Sequence, residues 1–147
     1  MYTKINEKDS AMKLGAIYSK EKTTFTLFSP VADSVFVIFY DKGNDSTETG
    51  RLEMMRGEGE LRSIFSATAE GNLDGVYYTY EVHTSDGTFS SHDPYARACG
   101  VNGHRSMVID LSKTDPDGFA DEDRPKLADP MSMVITEVSV ADVSAGV

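Results

Sequence analysis

Over the first two thirds of this chain apolar side chains recur at every second position, in short runs broken by glycine, proline, asparagine and aspartate. A period of two places successive side chains on opposite faces of an extended backbone, so each run predicts a half-buried β-strand. The clearest run lies just past Gly75: Val76, Tyr78, Tyr80 and Val82 fall on one face, and Tyr77, Thr79, Glu81 and His83 on the other. Asp86-Gly87 suits the two positive-φ positions of a tight hairpin turn, with Thr88-Phe89-Ser90 as the return strand. Asp93-Pro94 ends the ladder, because proline has no amide hydrogen to donate.

Thr23 to Phe28 alternates with Phe25 and Leu27 on one face, and Ser29-Pro30 closes it. Val35 to Tyr40 is apolar on both faces, and its β-branched and aromatic content still predicts a strand. Its second face, Phe36, Ile38 and Tyr40, needs a cover, which either local loops or a neighbouring domain can supply. Leu52 to Met55, Leu61 to Ala69 with Phe65 as anchor, and Met107 to Leu111 read as further short strands. A patch at Leu14, Ala16 and Ile17 fits either a lead-in strand or one helical turn. Turn signals recurring about every ten residues, without sustained helical periodicity, predict an all-β antiparallel sandwich over residues 1–113. Residues 114–130 are dominated by proline, aspartate and glycine and predict a linker. The β-rich run beyond them has no sheet of its own, so it adds to the sandwich, pairs with another molecule or stays disordered.

Charge narrows the functional classes. A formal net charge of −10 repels a phosphate backbone, so nucleic acid is not expected as a partner. No apolar run is long enough to span a membrane, and the first residues lack the apolar core of a signal peptide, which predicts a cytoplasmic protein. The single cysteine, Cys99, excludes an internal disulfide and is expected as a small packed side chain. His83, His92 and His104 share no metal-ligand spacing, the acidic loop 41–50 lacks the EF-hand pattern, and Gly57 and Gly59 lack that of a phosphate loop. Neither metal nor cofactor is expected.

Five motifs in order, LGAIYSKEKTTFTLFSPVADSV, LDGVYYTYEV, DPYARACGVNG, MVIDLSKTDPDGF and RPKLADP, resemble the N-terminal β-sandwich of bacterial type I pullulanases. That sandwich is a carbohydrate-binding module of family 48, with an early-set, immunoglobulin-like fold. The resemblance implies a non-catalytic accessory module of a starch-debranching enzyme that hydrolyses α-1,6 glucan linkages. In such enzymes the acid and nucleophile sit on a following (β/α)₈ barrel, so the resemblance implies no catalytic residue here and the barrel as partner. Residues 131–147 resemble a remnant of the first barrel strand, with Thr136, Ser139, Ala141 and Val143 where the family shows tyrosine, histidine, arginine and phenylalanine.

Two groups are candidates for contact with that barrel: the outward Phe36, Ile38 and Tyr40, and Asp93, Pro94 and Tyr95, which in such enzymes lie near the boundary between sandwich and barrel. For glucan, Phe28 and Phe65 stand where the family carries tryptophan and are expected to pack structurally, which leaves Tyr77 as the outward ring available to stack on sugar. Two rival functions follow: an autonomous α-glucan-binding module, and a protein-interaction module that assembles through the apolar outer face or self-associates through the C-terminal strand.

Overall fold

The alternating runs become nine strands, all paired antiparallel, in a computed structural model that describes residues 13–123 and 128–145. They are β1 (Gly15–Tyr18), β2 (Lys22–Phe28), β3 (Ser34–Tyr40), β4 (Glu48–Arg56), β5 (Ile64–Glu70), β6 (Tyr77–Thr84), β7 (Gly87–Ser91), β8 (Ala98–Cys99) and β9 (Ser106–Met107). Their order is β1-β2-β5-β4-β3-β6-β9-β8, with β7 also on β6. β4 belongs to two ladders. It pairs with β3 as far as Met54, and then Met55 and Arg56 pair with Ser66 and Phe65 of β5. It therefore turns the corner between the β1-β2-β5 layer and the layer built on β3 and β6, and closes one side of a sandwich.

The core fills the space between these layers. Phe25, Leu27 and Phe65 come from one layer, Val35, Val37, Met54, Tyr78 and Tyr80 from the other, and Ala32 and Val108 complete the set. Phe25 meets Tyr78 edge-on at 5.0 Å and Phe39 at 5.7 Å, the geometry that aromatic quadrupoles favour. Each such side chain, fully buried, contributes on the order of 1.5–3 kcal/mol of transfer free energy. The faces of β2 and β6 that alternation assigns to the interior are the ones that fill it.

Several elements differ from expectation, each for a local reason. The hairpin tip is Ser85-Asp86, one residue earlier than predicted, because Thr84 pairs with Gly87. The Thr84 hydroxyl accepts from the Asp86 amide and donates to the Gly87 carbonyl, both at 3.2 Å, and Gly87 alone has positive φ. β4 begins at Glu48, not Leu52, since β3 offers it partners along its whole length across a bulge at Phe39/Tyr40. The predicted strand Met107–Leu111 shrinks to Ser106–Met107. Beyond it, Val108 exchanges backbone hydrogen bonds with Gly75 and Val76, and Asp110 caps a single 3₁₀ turn at Leu111–Lys113. Cys99 lies on the two-residue strand β8 and is exposed, not packed.

Contacts divide the chain into Met1–Thr114 and Asp115–Val147. The second unit holds 3₁₀ turns at Phe119–Asp121 and Pro130–Ser132 and a short helix, α1 (Val140–Ser144). Within the β-rich run at 133–143, residues 133–139 have no strand partner among the described residues. Without a neighbouring ladder to satisfy its amides, the tail meets the need locally, as where Val143 donates to the Ser139 carbonyl. The RPKLADP motif begins outside the described residues.

Candidate functional site

The outer face of the β3–β6 layer carries four of the residues singled out by sequence. Register sets Tyr40 opposite Tyr77, Ile38 opposite Thr79 and Phe36 opposite Glu81, so Phe36, Ile38, Tyr40 and Tyr77 share one surface. Local side chains cover most of it. Arg51, held by paired 2.8 Å hydrogen bonds to Glu48, lies 5.9 Å from the Phe36 ring centroid, and the His83 ring meets Phe36 edge-on at 5.4 Å. The Arg51 hydrogen bonds hold the Glu48 carboxyl below the usual carboxylate range. Ile38 is buried.

At the other end of that face the Arg105 guanidinium stacks 3.5 Å from the Tyr40 ring centroid. It donates to the Lys42 carbonyl at 2.7 Å and to the Ser46 hydroxyl and carbonyl at 2.8 Å each, so one side chain clasps the 41–47 loop onto the sheet. The same loop is pinned by backbone approach, because a Cβ built on Gly43 would stand 2.8 Å from the Gly100 Cα and 3.1 Å from the Tyr77 ring. Tyr77 is half-buried against Gly43 and does not stand as a free platform. A polar groove of about 380 Å³ remains, lined by Tyr40, Asn44, Asp45, Thr79, Ser90, His104 and Arg105.

Asp93, Pro94 and Tyr95 do not join this face. The Asp93 carboxylate is only 3% exposed and accepts from the Tyr78 hydroxyl at 2.7 Å and the Tyr80 hydroxyl at 3.2 Å, while its second oxygen accepts from the Tyr95 amide at 2.8 Å. It is a fastening inside the sandwich. Tyr95 is exposed, and its Cβ lies against Gly15 of β1.

Pro94 leads to a site that periodicity did not show. With Phe28, Ser29, Val82, Ser91 and His92 it lines a cleft of about 240 Å³ floored by Leu27 and Tyr80. Phe28 was expected to pack structurally, as Phe65 does; Phe65 is buried, but Phe28 is 53% exposed, because β2 ends there with the Ser29 amide on the Ser63 carbonyl and Pro30 following. Phe89, equally exposed, sits across the ladder from the cleft residue Val82. Two uncovered aromatic rings beside serine hydroxyls and an imidazole supply both halves of sugar recognition: flat apolar faces for C–H groups, and donors and acceptors for hydroxyls. The signal lay in β7, where Phe89 is the sole large apolar residue of an otherwise polar edge strand.

Asp74, the carboxylate beside the β9 end, is bound into the structure. Asp74 accepts from Lys113 at 2.6 Å and from the Asp110 amide at 2.8 Å, which holds its carboxyl below the usual range, opposite to what a general acid needs. Among the described residues no group of three histidine, cysteine, aspartate or glutamate side chains gathers to hold a metal ion.

Comparison with known proteins places the fold. Pullulanase A of Streptococcus pneumoniae serotype 4 is 31% identical over 116 residues, covering 74% of this chain and 9% of the relative. Pullulanase 1, chloroplastic, of Arabidopsis thaliana is 28% identical over 142 residues, covering 90% and 14%. The structure of the Paenibacillus barengoltzii pullulanase complexed with maltohexaose and α-cyclodextrin superposes with a TM-score of 0.73 at 34% identity, over 80% of this chain and 18% of that one. The Bacillus acidopullulyticus pullulanase gives a TM-score of 0.73 at 35% identity, over 80% and 14%. The chain thus spans between 9% and 18% of the length of these relatives. The family profile described as carbohydrate-binding module 48 (isoamylase N-terminal domain) matches residues 13–96, so this sandwich, with its aromatic end cleft, belongs to that family.

Proposed function

We propose that the sandwich is a non-catalytic accessory module of a pullulanase-type debranching enzyme and that it contacts α-glucan through the Phe28–Phe89 end. The observation that carries this reading is the Phe28 ring, 53% exposed on a cleft that also offers the Ser29 and Ser91 hydroxyls and His92, with Phe89 equally exposed opposite the cleft residue Val82. A buried Phe28 would have left the cleft without an aromatic wall. The two buried carboxylates are committed, Asp93 to two tyrosine hydroxyls and Asp110 to Ser112, which supports a sandwich that holds substrate and leaves hydrolysis to a separate domain. The test is affinity electrophoresis in gels containing amylopectin or pullulan. Retardation that disappears in Phe28→Ala/Phe89→Ala supports the reading; wild-type mobility unchanged by polymer overturns it.

A second role, supporting a catalytic barrel, is favoured by one observation. The segment after the linker leaves Val134 94% exposed, with Met131, Ile135, Val138 and Val143 also uncovered, a row of apolar side chains suited to burial against another domain. A pullulanase-type barrel expressed separately should co-elute with this chain on size-exclusion chromatography and release it when Val134 and Ile135 are changed to aspartate; independent elution counts against this role.

A further inference from the structure

We infer that β7 is a self-association edge: two copies of this chain pair their β7 strands antiparallel about a two-fold axis at Phe89, joining their β3–β6 layers into one continuous sheet. The contact goes beyond the glucan reading of the cleft and does not depend on it.

β7 is an edge without the usual protection. Among the described residues it pairs with β6 alone, and all of Gly87 to Ser91 is exposed. Sheet edges ordinarily carry lysine, proline or a bulge that turns a second strand away. The sequence Gly87-Thr88-Phe89-Ser90-Ser91 has no charge and no proline, and its ladder with β6 runs without a register shift.

Backbone polarity selects the register. Ser85-Asp86 is a two-residue turn, so the flanking pair, Thr84 and Gly87, exchanges hydrogen bonds, and Phe89 and Ser91 likewise turn their N–H and C=O towards β6. Thr88 and Ser90 turn theirs to the open edge. The register that pairs the whole of β7 with a second β7 sets Thr88 opposite the partner's Ser90 and Phe89 opposite the partner's Phe89. Thr88 and Ser90 of each copy then donate and accept across the seam. The two Phe89 rings meet at a non-hydrogen-bonded position, where side chains approach most closely, and the Thr88 and Ser90 hydroxyls pair on the opposite face.

Charge points to a second copy as the occupant. The same axis places Asp86 opposite the partner's His92, just beyond either end of the strand, and both residues are exposed. An imidazole N–H donates to a carboxylate, so the ends are complementary where the middle is neutral. A two-fold contact has to complement itself. An axis through the middle of β1, at the other end of the strand order, fails that condition, because it sets Lys13 against the partner's Lys20. Five residues a side is a small contact beside the roughly 20–30 of a stable interface, so this dimer exchanges with monomer.

The test is sedimentation equilibrium of the full chain in about 0.15 M salt, which screens the net charge of −10. The weight-average mass should climb from monomer towards dimer between about 10 µM and about 1 mM. Ser90→Pro removes an N–H that faces away from β6, so it leaves the hairpin paired and should weaken association about tenfold. Asp86→Lys should weaken it about fivefold, and Asp86→Lys/His92→Asp, which exchanges the signs at the two ends, should restore it; this pair keeps the inference falsifiable if the proline variant does not fold. A mass that stays monomeric throughout overturns the inference. Dimerisation that Ser90→Pro and Asp86→Lys both leave unchanged overturns it too, because the contact then lies elsewhere on the chain.

Discussion

The Tyr78 hydroxyl donates to the Asp93 carboxylate at 2.7 Å with both side chains inside the sandwich, so a loop that leaves β7 is tied to the central strand β6 through a buried charge. A charge out of water is tolerable only when its lone pairs are occupied, and Tyr80 and the Tyr95 amide occupy the others. Removing the charge leaves two tyrosine hydroxyls unpaired in the core; removing one hydroxyl leaves the charge under-satisfied. Tyr78→Phe should cost about 1.5–3 kcal/mol, Tyr80→Phe less because its bond is longer, and Asp93→Ala more than either. Urea midpoints at constant m-value check this order, and an Asp93→Ala midpoint equal to that of the parent would sink it.

The same cluster sets an alkaline limit. Burial first, and then the charge of Asp93, pushes the hydroxyls of Tyr78 and Tyr80 well above the ordinary tyrosine value. As pH rises through about 10 the unfolded chain sheds these protons while the folded chain keeps them. The folded state then binds more protons, so stability falls with rising pH above that value and is unaffected by these groups below it. Melting temperatures followed from pH 8 to 11.5 should decline from about pH 10, and more gently in Tyr80→Phe. A parent whose melting temperature holds steady across that window contradicts the prediction.

Gly43 and Gly100 touch backbone to backbone: a Cβ on Gly100 would stand 2.5 Å from the Gly43 Cα and 2.8 Å from its carbonyl oxygen. No flexible side-chain end is available to yield there. Gly100→Ala should therefore lift the 41–47 loop and cost about 1–3 kcal/mol, as overpacking does elsewhere. Gly59→Ala serves as the control, since nothing lies within 4 Å of its added Cβ and only its φ of 58° resists the change. Equal melting temperatures for Gly100→Ala and the parent would show that the two loops do not meet.

What alternation could report, it reported. Tyr78 against Tyr77, and Phe25 against Thr24, are sorted to interior and exterior by a period of two, because a sheet with one buried face leaves no other arrangement. The hairpin tip was illegible for a different reason: Thr84 looks like an ordinary strand residue until its hydroxyl is seen bridging Asp86 and Gly87. Asp93 stands out in the sequence only through the proline that ends the ladder and through the resemblance that sets it near a domain boundary, and nothing local tells that its carboxylate folds inward onto residues thirteen and fifteen positions away. Arg105 left no trace, since the guanidinium that organises the outer face is nearly sixty residues from the serine it holds. Phe28 looked like Phe65, and only the chain path past Pro30 separates an exposed ring from a buried one.

Arg105 supplies the next prediction. Lysine keeps the positive charge but has neither the planar fork that reaches Lys42 and Ser46 together nor the flat face that stacks on Tyr40. Losing about 1–1.5 kcal/mol of hydrogen bonding at this clasp should raise amide exchange in residues 41–47 about tenfold. Exchange in β2 and β6 should stay as it is, because those strands are held by the core. Uniform protection in Arg105→Lys would show that the Gly43–Gly100 contact alone secures the loop.

Phe28 and Phe65 both stand where the resemblance expects tryptophan, and the structure gives the two positions opposite tolerance. Phe65 is 1% exposed, with the Arg56 guanidinium 5.0 Å from its ring centroid, so Phe65→Trp should cost about 1–3 kcal/mol by overpacking. Phe28 opens on solvent at the end of β2, so Phe28→Trp should leave the melting temperature unchanged and offer sugar a broader flat face. Retardation in amylopectin gels should then increase from Phe28→Leu through the parent to Phe28→Trp, in the order of aromatic surface presented. The ranking separates stacking from general hydrophobic adhesion, because leucine retains apolar area but no ring; equal retardation of leucine and tryptophan variants would remove the aromatic cleft as the point of glucan contact.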